Sequence, residues 1–426
     1  MRGLVFVLIV LLAVACNGGG ESLRTATPAP SPSGTTTPQA TATATAVPTA
    51  APEIAYVGPD ERDVWLMAID GSGKRNVTRG RCWPSFGFYW SPQGDRIACI
   101  TVNDRQTETR VLVFDVQGRV LLRLQHAGYF RSFFTWGANF ASPWSPSGRN
   151  FAYVVEEKVT PVPEREPPPR GTPVLLIADA SRGILTSIAG GQRPRWSADG
   201  GRLAYNKPPG DTLALYDLAS SEEKTLAEGL RPLAWVLGDE ALLVAADYRE
   251  DEFGVGYQAN LLDLASGQIT RVPELDNYTE FWLSPDGGTA IVLPHGLPSL
   301  AILELASLEF TPIADSVISY PSDFIPQSQL AFSADGSQIY WFDGSDAIYK
   351  ADSDGGGLTQ VGPLPGDFFL AFSPDLRRVL YFVLSDVPPP ASGGPLHWNL
   401  WVANIDGSDA RVLVEGASGA VWRPTR

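Results

Sequence analysis

Cysteine, histidine and methionine are scarce in this 426-residue chain, at three, three and two residues. His126, His295 and His397 each stand alone between strand-like segments, which leaves little for a histidine-based catalytic or metal site. Three cysteines make neither a disulfide framework nor a pair at zinc spacing. There is no phosphate-cradling glycine loop, no His-Glu-x-x-His and no Gly-x-Ser-x-Gly, so P-loop, zincin and α/β-hydrolase chemistries are not indicated. No apolar run reaches the roughly 20 residues a transmembrane helix needs. No long stretch carries a 3.6-residue apolar period, so helices are not expected. Basic residues are outnumbered 32 to 47 and the net charge is −15. Without a basic run, that balance argues against nucleic acid and against direct docking on anionic lipid.

What the chain does contain is a repeat. Trp90-Ser91-Pro92-Gln93-Gly94 returns as Trp144-Ser145-Pro146-Ser147-Gly148 and as Trp196-Ser197-Ala198-Asp199-Gly200. Weaker copies begin at Leu283, Phe332 and Phe372, and degenerate ones at Trp235 and Trp422. Recurrence every 40–50 residues or so marks a repeat architecture. Each copy reads as an aromatic residue ending a strand, then a Ser-Pro/Ala turn with glycine in the left-handed position, then a short apolar strand such as Ile97-Ala98-Cys99-Ile100. A third strand and an Asp-Gly or Ser-Gly turn into a fourth complete the unit.

Strands after the turn begin near Ile54, Ile97, Phe151, Leu203, Leu242, Ala290, Ile339 and Val379. Strands before it end at Trp90, Trp144, Trp196, Trp235, Leu283, Phe332, Phe372 and Trp422. The first unit lacks its leading strand and the last leading strand, Gly419–Trp422, lacks a follower. Together they complete one blade and close a ring, where an open solenoid would need polar caps. The expectation is an all-β protein, an eight-bladed β-propeller (seven blades as the alternative) of four-stranded antiparallel blades.

The Trp-Ser-Pro-x-Gly turn, the apolar strand after it, and the Asp70-Gly71…Val77-Thr78 and Asp354-Gly355…Leu358-Thr359 endings resemble the WD-like repeat of the TolB-like propellers. The same repeat builds the propellers of prolyl oligopeptidases and dipeptidyl peptidases. The likeness spans Glu53 to the end and implies the fold; this propeller serves many unrelated roles. TolB-type propellers have six blades and a separate N-terminal domain, and the peptidases carry a hydrolase domain. This chain departs from both.

Before the repeats, the apolar core Leu4–Val14 is too short to span a bilayer and reads as a signal peptide, residues 1–15. Its end, Ala13-Val14-Ala15-Cys16, resembles the bacterial lipoprotein signal, with Ala13 where a leucine is usual. That likeness implies a lipid on Cys16; an ordinary cleaved secretory signal is the alternative. Residues 16–52 are dominated by Thr, Ala, Pro, Ser and Gly and cannot bury enough apolar surface to order, so they read as a stalk. Residues 53–426 form the propeller, and −16 of the net charge falls on them, because Arg2, Glu21 and Arg24 contribute +1.

Cys82 and Cys99 are expected to be unbonded. Cys99 lies across from Phe88, and six extended residues from Phe88 to Cys82 cover about 20 Å, beyond the ~7 Å that a disulfide tolerates between Cα atoms. Asp352-Ser353-Asp354-Gly355 resembles the start of a calcium loop but lacks its terminal glutamate, and is read as a turn. No metal or cofactor is expected.

The turns after the first and third strands are short. The long insertions, 126–142, 156–172, 248–256, 315–327 and 385–397, all belong to the other face of the ring, and loops on a rigid scaffold are where binding residues gather. Segment 126–142 is rich in aromatics. Tyr129, Phe130, Phe133, Trp136 and Phe140 are the candidate binding residues, against the alternative that they pack on the next blade. The function expected is a non-catalytic binding or scaffolding module, extracytoplasmic, lipid-anchored and monomeric, with an envelope protein or glycan as partner. The alternative is a propeller enzyme on a glycan or peptide using Asp247, Glu250, Asp251 or Asp386, for which paired carboxylates about 5–10 Å apart would be needed.

Overall fold

The computed structural model describes residues 53–58, 62–82, 87–103, 108–127, 129–130, 142–157, 171–208, 211–251, 254–276, 280–293, 299–317, 330–343, 347–364, 366, 368–384, 398–417 and 419–424. They form eight four-stranded antiparallel sheets. We call the strands of each blade A to D. Blade 1 comprises Phe88–Trp90, Arg96–Val102, Glu108–Asp115 and Val120–Ala127, and blades 2 to 7 follow in chain order. Blade 8 joins the chain's two ends: Gly419–Trp422 pairs with Glu53–Val57, with Ile54 opposite Trp422 and Val57 opposite Gly419. Eight blades, not seven, close the ring. Every B strand begins one residue before the expected position, since the residue that closes the turn already pairs. The proposed signal and stalk, Cys16 included, lie outside the described residues.

The core is a ring rather than a centre. Eight apolar clusters lie one in each gap between neighbouring blades. Strand alternation produces them. Ile54 and Tyr56 face blade 7 while Ala55 and Val57 face blade 1; Ile97 and Cys99 face blade 8 while Ala98 and Ile100 face blade 2. A strand buried on both faces needs apolar residues at every position, which is why the B strands read as unbroken apolar runs. D strands are mostly half-buried or exposed, as in Val120–Ala127 and Glu222–Ala227, and form the outer rim.

The repeated turn has a defined chemistry. Ser197, Ser284, Ser333 and Ser373 each donate Oγ–H to the aspartate two residues on at 2.6 Å. Each of those oxygens accepts the backbone N–H five residues on at 2.9 Å. Glycine follows with φ between +62° and +72° in five turns; blade 7 puts Leu376 there at φ +55°. Blade 4 lacks the serine, and Asp239 instead accepts the N–H groups of Ala198 and Asp199 in blade 3. The Asp352–Gly355 segment is the expected turn, with Gly355 N–H bonded to Asp352 O.

The aromatic that opens the repeat also ties blades together. Trp144, Trp196, Trp235 and Trp422 donate their indole N–H to the carbonyls of Tyr89, Pro143, Arg195 and Ala371, at 3.1, 3.0, 2.8 and 3.2 Å. Each acceptor immediately precedes the matching aromatic of the preceding blade. Trp90, beside the closure, is the exception: its buried indole N–H has no acceptor among the described residues. There the tail takes over, with Arg423 Nε donating to Gly94 O at 2.6 Å.

One expectation is overturned. Cys82 and Cys99 form a disulfide, with Cα atoms 6.3 Å apart. Cys99 does face Phe88, but the chain from Cys82 does not run extended. Gly87, which precedes strand A, stands at φ +95°, a left-handed conformation that an extended path would not contain. Both sulfurs lie in the apolar cluster between blades 8 and 1.

Candidate functional site

Segment 126–142 does not lie where a simple connection between blades would put it. Its start, His126–Ala127, is the end of strand D of blade 1. Tyr129–Phe130 then takes the A position of blade 2, pairing with Glu156 and Val155. The chain returns at Trp144, paired with Phe151, and Ala152 N–H bonds Pro143 O at 2.8 Å. Strand A of blade 2 is therefore interrupted, leaving the sheet beside Val155 and rejoining it beside Ala152. Both ends of the interruption sit on the blade edge that lines the central channel. Of the candidate aromatics, Tyr129 and Phe130 are placed by their backbone on this edge, while Phe133, Trp136 and Phe140 lie outside the described residues.

Between strand D of blade 1 and strand B of blade 2 sits a group that the sequence shows only as a lone histidine. His126 Nε2 and the Tyr153 hydroxyl are 2.5 Å apart, with ring centroids 5.6 Å apart. Burial lowers the His126 pKa, against the pull of Glu157, which raises it. Burial alone pushes Tyr153 far above its ordinary value. Glu156 is buried and accepts Gly171 N–H at 3.2 Å. His126 and Tyr153 thus tie the end of strand D of blade 1 to strand B of blade 2, and Glu156 stands opposite Tyr129 of the interrupted strand.

The innermost strands of blades 3 and 4 supply a second feature the sequence reading missed. Arg195 is buried and donates to Leu233 O at 2.7 Å and Pro194 O at 3.0 Å. Burial, and then the charge of Arg193, bring its pKa down to about 10. Arg193 occupies a bulge at φ +52°, and Arg231 in the next blade pairs with Asp211 at 2.7 Å. The signal was present: Gln-Arg-Pro-Arg-Trp is the most polar of the A strands. Arg195 acts as a bracket from blade 3 to the backbone of blade 4.

Insertion 248–256 is not a loop. Strands B and C of blade 4 run on as Ala241–Asp251 and Gly254–Asp263, a long hairpin rising from the same face. A bulge at Asp247, φ +49°, turns it, because a twisted strand pair that leaves the sheet needs a register break. Asp247 is exposed; the hydrogen bond and charge of Asp276 raise the Arg271 pKa, and the charge of Asp247 adds to them. Glu250 and Asp251 fall on the hairpin by their backbone, and Asp386 lies outside the described residues.

No family model matches the sequence, and no curated protein matches it significantly. Among solved structures, one described as the eukaryotic initiation factor is 16% identical, with a TM-score of 0.50 over 88% of this chain and 98% of that one. TolB from Acinetobacter baumannii is 18% identical, with a TM-score of 0.33 over 77% and 82%. An oligogalacturonate lyase in complex with manganese is 15% identical, with a TM-score of 0.42 over 74% and 87%. Identities this low speak to the fold alone. The likeness to the first is one of architecture alone, and function rests on this chain's own residues.

Proposed function

We propose that this protein is a non-catalytic binding or scaffolding propeller of the cell envelope, tethered through lipid on Cys16 and the 16–52 stalk. Its partner, an envelope protein or glycan, docks at the channel mouth on the long-loop face. The observation that carries the reading is the interrupted strand A of blade 2. An insertion bearing Phe133, Trp136 and Phe140 departs from and returns to the blade at the channel edge, and the hairpin of blade 4, two blades on, projects from the same face. Aromatic anchors offer large contact area at low entropic cost, and interfaces favour them. The buried Cys82–Cys99 disulfide supports an oxidising, extracytoplasmic compartment, and no described helix is long and apolar enough to cross a membrane.

The test follows the observed boundaries. Replacing 131–141 and 158–170 by short turns leaves Tyr129–Phe130, Pro143 and every paired strand in place. Crosslinking in the native envelope should then lose the partner recovered by the wild type, while far-UV spectrum and unfolding midpoint persist. Retention of that partner would put the interface elsewhere. Fractionation of Cys16→Ser tests the tether, which fails if mutant and wild type partition alike.

A further inference from the structure

We infer that the opposite face, the one made of tight turns, carries a binding site for a small hydroxylated monocarboxylate, of sugar-acid size and charge, in the cleft between blades 1 and 2. This site is independent of the long-loop interface. Three turns converge on a cleft of about 220 Å³: Arg96 comes from the A–B turn of blade 1, Arg149 from that of blade 2, and Arg182 from the C–D turn of blade 2. Its floor is built across blades. Gln93 Nε2 donates to Pro146 O at 3.0 Å, and its amide lies where any Cβ on Gly148 would stand. The volume is below the ~300–1,000 Å³ of drug-sized sites and suits one sugar-sized group.

Charge singles this cleft out. The third position of the turn is aspartate in blades 3, 5, 6 and 7 (Asp199, Asp286, Asp335 and Asp375), but Gln93 and Ser147 in the two blades that flank the cleft. Arg202 in blade 3 and Arg377 and Arg378 in blade 7 share their turns with such an aspartate, whereas Arg149 does not, in a chain of net charge −15. Two acids do line the cleft. Asp95 accepts from Ser91 Oγ at 2.8 Å and lies 3.6 Å from Arg96 Nε. Asp179 takes Ser181 N–H, Ser181 Oγ–H and Arg182 N–H on Oδ1 alone, at 2.7–2.9 Å. Its Oδ2 takes none of the three, which suits a ligand hydroxyl donor.

Three guanidiniums against two carboxylates leave a surplus of one positive charge, which matches a monoanion. A phosphate dianion would face two carboxylates, and a neutral sugar would leave the guanidiniums unused. Planar guanidinium forks grip carboxylates bidentately, and turns on a rigid ring fix their spacing.

Calorimetric titration of the full chain with sodium D-glucuronate, D-glucose and inorganic phosphate at constant ionic strength tests this. We expect saturable glucuronate binding, with glucose and phosphate at least tenfold weaker. The double variant Arg149→Gln, Arg182→Gln should weaken glucuronate tenfold or more; both side chains are exposed, so its unfolding midpoint should not move. No saturable glucuronate binding by the wild type, undiminished binding by the variant, or phosphate or glucose binding as tightly as glucuronate would each overturn the inference.

Discussion

Deleting residues 419–426 removes strand A of blade 8 and leaves Glu53–Val57 as an unpaired inner edge. The cost can be worked from what those residues bury. Trp422 is 3% exposed, and Ala420 and Val421 are 6% exposed. Stripping a buried tryptophan to alanine costs about 3–5 kcal/mol, a buried valine side chain contributes about 1.5–3 kcal/mol, and each ladder hydrogen bond adds roughly 0.5–1.5 kcal/mol. The loss is on the order of 6–10 kcal/mol, comparable with the ~5–15 kcal/mol that holds a typical fold. Urea unfolding followed by far-UV circular dichroism should therefore show the cooperative transition of the truncated chain abolished or moved far down.

Two substitutions divide the effect. Trp422→Ala should cost about 3–5 kcal/mol. Trp422→Phe should cost about 1–2 kcal/mol, mostly the indole bond to Ala371 O. Trp90→Phe is the control, because its indole N–H has no acceptor among the described residues to lose. An unchanged midpoint and slope in the truncated chain would refute closure by this strand. A larger cost at Trp90 than at Trp422 would refute the hydrogen-bond share.

The disulfide bridges cysteines at a sequence separation of 17, and a loop of that size makes its removal by Cys82→Ser cost about 3 kcal/mol. Thiol titration of the unfolded, unreduced wild type should find neither of the two reactive. Asp335, held by Ser333 Oγ–H, has its pKa lowered to about 2. A carboxyl whose folded pKa lies below its unfolded one contributes stability that is complete above about pH 4 and is lost as the pH falls toward 2. Carbon-detected NMR should show Ser333→Ala moving Asp335 back toward its ordinary value of 3.8. His126 is also lowered, so its neutral form is favoured in the fold, and stability should decline as the pH drops below the unfolded value of 6.5. His126→Gln should flatten that decline in unfolding curves taken between pH 7 and 5, and an undiminished slope would assign it to other groups. Gly407→Ala should be the harsher of two glycine substitutions in the same unfolding assay, because a Cβ there would stand 2.5 Å from Pro363 O. Around Gly73 there is nothing within 4 Å, so Gly73→Ala should cost only the left-handed backbone, about 1–2 kcal/mol.

Fold and ring order were legible because they are written in local chemistry. A Ser-Pro-x-Gly turn announces itself within a few residues, and a B strand packed on both faces must be apolar throughout, so the blades could be counted from the chain. Even closure was readable, as a leading strand without a follower matched a follower without a leader. Where local spacing stood in for path, the reading failed. The expected Cys82–Cys99 distance assumes an extended path from Phe88 to Cys82, yet the two Cα atoms lie 6.3 Å apart and Gly87, at positive φ, breaks that path. Residues 248–256 looked like an irregular loop because their continued pairing across the hairpin leaves no local mark. Segment 126–142 had the composition of a binding loop, but only the pairing of Tyr129–Phe130 with Val155–Glu156 revealed that it interrupts a strand at the channel edge. The arginine cleft could not be read at all. Arg96, Arg149 and Arg182 stand on three turns far apart in sequence, and only the stacking of blade 2 on blade 1 brings them to one place. Sequence determines what each blade is, because turns and alternation act over a few residues; tertiary structure decides what the blades share, because side chains on different turns meet only once the ring has closed.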